Sequence, residues 1–383
     1  MLTLFHRLGL IKNNSVKAQT NIVCFKPDYL FKDLVSRFVE AGCVFSDLPR
    51  EGYSSYIWMR PQEIWHLEYL SQNKNHDEIP NAYRQEFAKH KISFKELQRI
   101  KSVSVAIHHG TCFKPLYQFC YKNLATSLKD VKAVVGVCPF QECYGPSADI
   151  ASKSNFLFKP IGFDAKLFNE SKIINNNAEE FVIGFVGRNY GTPEQRLTSS
   201  DLDQPLGYRK GEDILLNILL RLKSVGLKFR LSLLGCNWSR LVNNLEKYHI
   251  SYDYYDRYNG ISYERDYPSL YSQMDCLLIG ARCEGGPVTA LEALALGIPI
   301  VGTNVGILPF LNTLLHDSDY CQLFSFNPKW GTVDYEKAVD IICDLSEEKR
   351  NRSISDRLLI RKKVLPYTTQ EWIQFILNQT KKE

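Results

Sequence analysis

Long apolar runs are missing from this sequence: no stretch approaches the 18 or so consecutive apolar residues that a membrane-spanning helix requires. The opening segment from Met1 to Lys12 is too short, and too interrupted by His6 and Arg7, to read as a secretory leader. A cytoplasmic protein is therefore expected, at most peripheral at the inner face of a membrane. Paired cysteines are missing too. The eleven cysteines are an odd number without metal-ligand spacing, and the closest two, Cys138 and Cys143, have no second pair elsewhere. Reduced thiols and no metal are the expectation. No cluster of Arg and Lys interleaved with aromatics stands out, which argues against a nucleic-acid partner. Internal repeats and low-complexity tracts are likewise lacking.

What is there fits a two-domain α/β protein. A chain of 383 residues exceeds what one hydrophobic core usually organises, and 44% hydrophobic residues is ordinary for a globular chain. Charge is unevenly divided: residues 1–160 carry a net +7 and the remainder −2. A basic N-terminal half favours an anionic partner, either a membrane surface or a phosphate-bearing acceptor. In that half short apolar runs at Asn21–Phe25, Tyr56–Met59, Val103–Ile107, Ala133–Val137 and Asn155–Phe158 alternate with helical spacing over Leu30–Ala41 and Ile79–Leu97. The alternation predicts a parallel sheet wrapped by helices. Polar residues from Glu170 to Glu180 read as a linker, after which the pattern restarts: strands at 181–187 and 228–234, helices near 211–225 and 238–248.

The richest segment runs from Asp275 to Val301. Cys276–Ile279 reads as a buried strand, Pro287 has the φ of a first helical position, Gly297 suits a helix stop, and Ile298–Val301 resumes an apolar run. This is one βαβ unit. The loop leaving its first strand lies at the carboxyl edge of the sheet, where open α/β folds bind ligands. Glu284 stands in that loop, Gly285 and Gly286 allow close backbone approach, and the helix start offers unpaired N–H groups to a phosphate. Glu292 falls on a helix that is otherwise apolar apart from Thr289. A buried carboxylate needs a partner, which either a neighbouring loop or the hydroxyls of a bound ribose or sugar can supply.

With Glu284 and Glu292 at a Glu-x7-Glu spacing, the stretch Glu284 to Thr303 resembles the retaining, nucleotide-sugar-dependent glycosyltransferases of family 4 through its whole length. Phe181 to Arg188 is similar to the first donor-domain strand of that family with its Gly187-Arg188 ending, Lys210-Gly211 to its Lys-Gly helix entry, and Pro160 to Phe168 to its interdomain signature. The resemblance covers roughly residues 155–310 well. It implies the GT-B fold: two Rossmann-like doubly wound domains facing across a cleft, an acceptor-side domain at 1–168, a donor domain at 169–365, and a C-terminal helix at 366–383 crossing back to the first domain. Between Arg188 and Lys210 the stretch Asn189–Arg209 is longer than usual for the family, which fits a lid or an acceptor contact. No glycine pair follows the first strand of the N-terminal half.

The resemblance further implies a metal-independent hexosyltransferase with a nucleotide-diphosphate sugar as co-substrate and no cofactor. Its acceptor would be a glycan or lipid-linked glycan of envelope polysaccharide or lipopolysaccharide synthesis. Arg188 and Lys210 would neutralise the diphosphate, because two acidic residues alone would repel it. Glu284, with Gly187 and the backbone of Gly285, Gly286, Pro287 and Val288, would hold the donor sugar and phosphates, and Glu292 the ribose hydroxyls. His108 and His109, directly after a strand, are candidates for the sugar or its acceptor, and Lys26 is a weaker one. Asp201-Leu202-Asp203 and Asp317-Ser318-Asp319 imitate a manganese-binding aspartate pair but sit in polar segments rather than at a strand end, so they are read as coincidence. Two alternatives stay open: a nucleotide-sugar epimerase on the same fold, and a non-catalytic donor-binding subunit.

Overall fold

The computed structural model describes residues 20–24, 32–59, 62–74, 79, 81–108, 124–139, 150–174, 179–189, 210–282, 284–327 and 331–381. These fall into two compact units, one gathering the residues up to Lys159 together with Thr369 onward, the other running from Pro160 to Thr368. The expected domain changes lie at 168/169 and 365/366. The segment 160–168 sits in the second unit for a physical reason: Arg361 near the end of that unit donates to the Phe168 carbonyl, and Gly162 and Phe163 lie against the backbone of Tyr367 and Thr368.

The first unit is built on a parallel sheet of β1 (Thr20–Val23), β2 (Val44–Ser46), β3 (Ser55–Trp58), β4 (Ser104–His108), β5 (Ala133–Gly136) and β6 (Phe156–Phe158), in the order β2-β1-β3-β4-β5-β6. Helices α1 (Lys32–Glu40), α2 (Gln62–Ser71), α3 (Asn81–His90) and α4 (Phe94–Ser102) accompany it. Five of the strands coincide with the apolar runs; β2, only three residues long, and α2 carried no comparable signal. The single helix expected over Ile79–Leu97 is two. Lys91 takes a positive φ of 34°, a conformation that L-residues adopt only singly, and Ser93 then caps a new helix by accepting a bond from the Glu96 N–H. Trp58, Leu67, Ile100, Ala106 and Val134 share the core of this unit.

The second unit has β7 (Phe181–Arg188), β8 (Phe229–Cys236), β9 (Tyr252–Asp256), β10 (Cys276–Ile279), β11 (Ile300–Thr303) and β12 (Cys321–Phe324), again all parallel, in the order β12-β11-β10-β7-β8-β9. Its helices include α5 (Glu212–Ser224), α6 (Ser239–Lys247), α7 (Tyr267–Ser272), α8 (Val288–Ala295), α9 (Leu308–Leu314), α10 (Tyr335–Glu348) and α11 (Ile354–Val364). Winding runs outward in both directions from the β7/β10 pair, which makes the crevice at their carboxyl ends a topological switch point. Ile183, Ile218, Leu231, Leu278 and Ile342 form its core. Pro287 is one position earlier than expected: it caps α8 with an extended ψ of 102°, and the helix begins at Val288. Gly297 ends the same helix turn at a φ of 64°.

The last helix, α12 (Thr369–Lys381), packs in the first unit against α1, β3 and β4. Its Trp372 and Ile376 are fully buried, and the Trp372 ring meets Phe38 edge-on at 6.1 Å. The chain thus returns to its first unit. Among the described residues no helix is long and apolar enough to cross a membrane.

Candidate active site

Three segments of the second unit converge at the switch point. Strand β7 delivers Gly187 and Arg188, the entry to α5 delivers Lys210 and Gly211, and the loop after β10 delivers Glu284 to Pro287. Gly211 shows why a side chain is excluded at that entry. Its φ of 72° is left-handed, and a Cβ there would stand 1.7 Å from the Gly280 carbonyl oxygen, so bare backbone is what lets α5 start against the end of β10.

The loop after β10 is tied on both flanks. On one side Arg282 grips Asp213 of α5 through both guanidinium nitrogens, a fork that fixes orientation as well as charge. On the other, the Thr303 hydroxyl donates to the Ala281 carbonyl. Gly306 supports the same loop from below, because a Cβ there would lie 2.5 Å from the Gly285 oxygen and 2.9 Å from that of Glu284. These supports come from residues 21 to 69 positions away in the chain, so no local pattern marks them.

Within this frame the Lys210 ammonium donates to the Glu284 carboxylate. Glu284 is buried while the Lys210 side chain keeps 20% exposure, so the pair sits at the rim of the crevice. The Lys210 stem runs over Gly187, whose added Cβ would lie 3.6 Å from Cε. Arg188 ends β7 and is exposed; among the described residues no carboxylate stands within ion-pair distance of it. Behind the crevice Asn189 donates to Glu212 at 2.9 Å, and Arg240 donates to the other Glu212 oxygen at 2.8 Å. Each acidic group here thus has its own cation, which leaves Arg188 and the first N–H groups of α8 to face an anion.

Glu292 has different company. It is 3% exposed, and its two oxygens accept from two phenols, Tyr263 at Oε1 and Tyr271 at Oε2, the latter at 2.7 Å. Burial pushes its carboxyl up, the two phenol bonds pull it down, and the nearby Asp164 charge raises it further. The partner expected from elsewhere in the fold is therefore a tyrosine pair at the turn before α7 and within α7. Tyr263, Tyr267 and Tyr271 stand at four-residue spacing, a signal present in the sequence, and Phe168 packs edge-on to Tyr271 at 5.5 Å.

Arg361 of α11 locks this region in place. Its guanidinium donates to the Ala295 carbonyl at the end of α8, at 2.8 Å, and to the Phe168 carbonyl. Arg357 adds a bond to the Ile174 carbonyl at 2.7 Å. Gly162 lies so close to the Tyr367 and Thr368 backbone that a Cβ would come within 2.1 Å.

Of the remaining expected site residues, His108 is the last residue of β4 in the first unit and is buried, its carbonyl accepting from Val137 N at 3.1 Å. His109 and Lys26 lie outside the described residues, as do 190–209 with Asp201 and Asp203. Asp317 pairs with Lys363. Among the described residues no group of three His, Cys, Asp or Glu is arranged to hold a metal ion.

Comparison with known proteins gives a family model and a fold. The model for group 1 glycosyl transferases matches residues 205–315, less than half of the chain, and the matched stretch contains Lys210, Glu284 and Glu292. None of the curated proteins compared with the chain is similar enough to count as a match. Among solved structures, a sucrose-phosphate synthase from Thermosynechococcus elongatus is 16% identical with a TM-score of 0.56, over 86% of this chain and 73% of its own. The Anabaena protein HepE, solved with UDP and glucose, is 12% identical with a TM-score of 0.56, over 94% and 98%. A UDP-forming trehalose-phosphate synthase from Burkholderia vietnamiensis is 11% identical with a TM-score of 0.56, over 94% and 99%. At such identities the likeness is one of architecture. Over residues 205–315 the chain is group 1 glycosyltransferase-like, and its two parallel six-stranded sheets, each dressed with helices, are the GT-B fold.

Proposed function

We propose that the chain is a glycosyltransferase that moves a hexose from a nucleotide-diphosphate sugar to a glycan or lipid-linked glycan acceptor, with retention and without a metal. The observation that carries this reading is the Lys210–Glu284 pair at the β7/β10 switch point, set against the N-terminus of α8. A diphosphate arriving there meets the exposed Arg188 guanidinium, the α8 N–H groups and an ammonium already in place. Transfer of Lys210 from carboxylate to phosphate would leave Glu284 as an acceptor for sugar hydroxyls. Those fixed positive groups stabilise the diphosphate as the glycosidic bond breaks, the place where charge develops. UDP in the HepE structure and the UDP-forming synthase among the similar folds make a nucleoside-diphosphate leaving group the natural choice.

Glu284 has the role of holding and orienting the donor, with the backbone of Gly285 to Val288 on the phosphates and Glu292 on the ribose. Positioning supplies the larger part of the rate in such a reaction. The basic N-terminal half suits an acceptor bearing phosphate or held at an anionic membrane surface, as in envelope polysaccharide synthesis. The test is product analysis: the full chain is incubated with a panel of nucleotide sugars and glycan or lipid-linked acceptors, and products are read by mass spectrometry. A hexose mass added to an acceptor, lost with Glu284→Gln, is the expected result. Interconversion of the sugar with no acceptor present would instead identify an epimerase.

A further inference from the structure

We infer that Tyr263 and Tyr271 are positioning residues that hold Glu292 as an oriented carboxylate acceptor for a pair of hydroxyls on the donor. The inference rests on the reading of Glu292 as a donor contact and adds the two residues through which it works. A carboxylate offers about four acceptor positions, two on each oxygen. The phenols take one on each: Tyr263 on Oε1 and Tyr271 on Oε2. One position on each oxygen stays for a ligand, and two adjacent O–H donors, as on a sugar ring carrying a vicinal diol, match two oxygens of one carboxylate.

Both phenols are needed because no cation helps. Among the described residues no Lys or Arg pairs with Glu292; the groups facing it are Tyr263 and Tyr271, Tyr267 from the same helical run, and Asp164 from the 160–168 segment, whose charge works against ionisation. A buried carboxylate in such company would take up a proton and become a poorer acceptor unless donors hold its charged form. Tyr271 suits this, since it is fully buried and its phenol is pushed well above its usual range, so it stays protonated and donating. Its ring is fixed by Phe168, and Phe168 by Arg361. Tyr263 reaches the same carboxylate from the half-buried turn before α7.

The experiment is calorimetric titration of the full chain with UDP, GDP and ADP between pH 5 and 9, in the wild type and in Tyr263→Phe, Tyr271→Phe and Glu292→Gln. Comparing variants cancels ionisation of the ligand's own phosphate. Each Tyr→Phe change removes one bond to the charged form, so the pH at which affinity is half lost should rise by about one unit, with binding weaker by up to about tenfold at the acid end of the series and recovering toward pH 9. Glu292→Gln should bind weakly at every pH. A ring that merely packs would lower affinity equally at all pH values or leave it unchanged. Either of those results in both phenylalanine variants, with Glu292→Gln still weak, overturns the inference alone. Wild-type binding by Glu292→Gln, or no binding of any of the three nucleotides, removes the donor reading of Glu292 and the inference with it. Tyr263→Phe, on the half-buried turn, carries the test should Tyr271→Phe fold poorly.

Discussion

The Lys210 ammonium donates to the Glu284 carboxylate, and this one contact joins the entry of α5 to the loop after β10 across 74 residues of chain. It balances the charge of a buried acid at the crevice and stores a cation where a diphosphate would arrive. Removing the cation leaves Glu284 with one fewer partner in a place poor in water. Lys210→Met should therefore lose donor affinity by about a hundredfold and destabilise the second unit by about 3 kcal/mol, read by calorimetry and by urea unfolding. Lys210→Arg, longer and forked, should restore stability more than activity.

Glu292 makes a second prediction, about pH. Burial lifts its carboxyl above the ordinary value of 4.5 in the folded chain. The folded state thus binds a proton more tightly than the unfolded one, so this group's contribution to stability is greatest below the unfolded value and declines as pH rises through the folded value. Glu292→Gln should melt at or above the wild-type temperature at pH 7, and the gain should shrink toward pH 4. Donor binding should fall at the same time. A melting series against pH with both proteins checks the sign, and a large loss of stability at pH 7 would contradict it.

Gly211→Ala tests how closely the α5 entry is fitted. With a left-handed φ and a Cβ 1.7 Å from the Gly280 oxygen, either α5 or the end of β10 must move. Lys210 is the preceding residue, so the displacement should reach the ion pair. We expect a loss of at least about 2 kcal/mol in stability and a fall in donor affinity that exceeds that of Gly226→Ala, a glycine with open space around it and a similar φ of 82°. Parallel melts and titrations of the two variants separate local fit from general backbone strain.

Much of this was legible along the chain. Most strands of the two units are short apolar runs, β2 and β9 (Tyr252-Asp253-Tyr254-Tyr255-Asp256) excepted, and the helix of the βαβ unit from Cys276 to Thr303 is bracketed by Pro287 and Gly297, so the type and order of those elements and the acidic loop could be read locally. Residues that hold the site together were not. Tyr263 and Tyr271 meet Glu292 from 29 and 21 positions away, and Arg361 reaches Ala295 and Phe168 from 66 and 193. Such partners follow from how α11 packs against α8 and how α7 and the turn before it reach Glu292, which no local period encodes. Boundaries shifted where a single backbone conformation decides them, as at Lys91, where one positive φ splits an expected long helix in two.

Arg361 carries a prediction of its own. It is 4% exposed, and its bonds to the Ala295 and Phe168 carbonyls cap α8 and fasten the 160–168 segment beside Glu292. Arg361→Met keeps the apolar stem and removes both bonds, which should cost about 2 to 4 kcal/mol. The lost rigidity should also show as faster amide hydrogen exchange around Phe168 and the last turn of α8, measured by mass spectrometry.

The most direct measurement is a thermal-shift titration of the wild type, Lys210→Met and Glu284→Gln with a panel of nucleotide-diphosphate sugars up to millimolar concentration. A ligand that binds the folded state alone stabilises it by about 2.7 kcal/mol at a hundred times its Kd. Clear stabilisation of the wild type by at least one nucleotide sugar, lost in both variants although they fold, is the expected result. No stabilisation of the wild type by any of them, or equal stabilisation of all three proteins, would contradict the assignment of the β7/β10 crevice as the donor site.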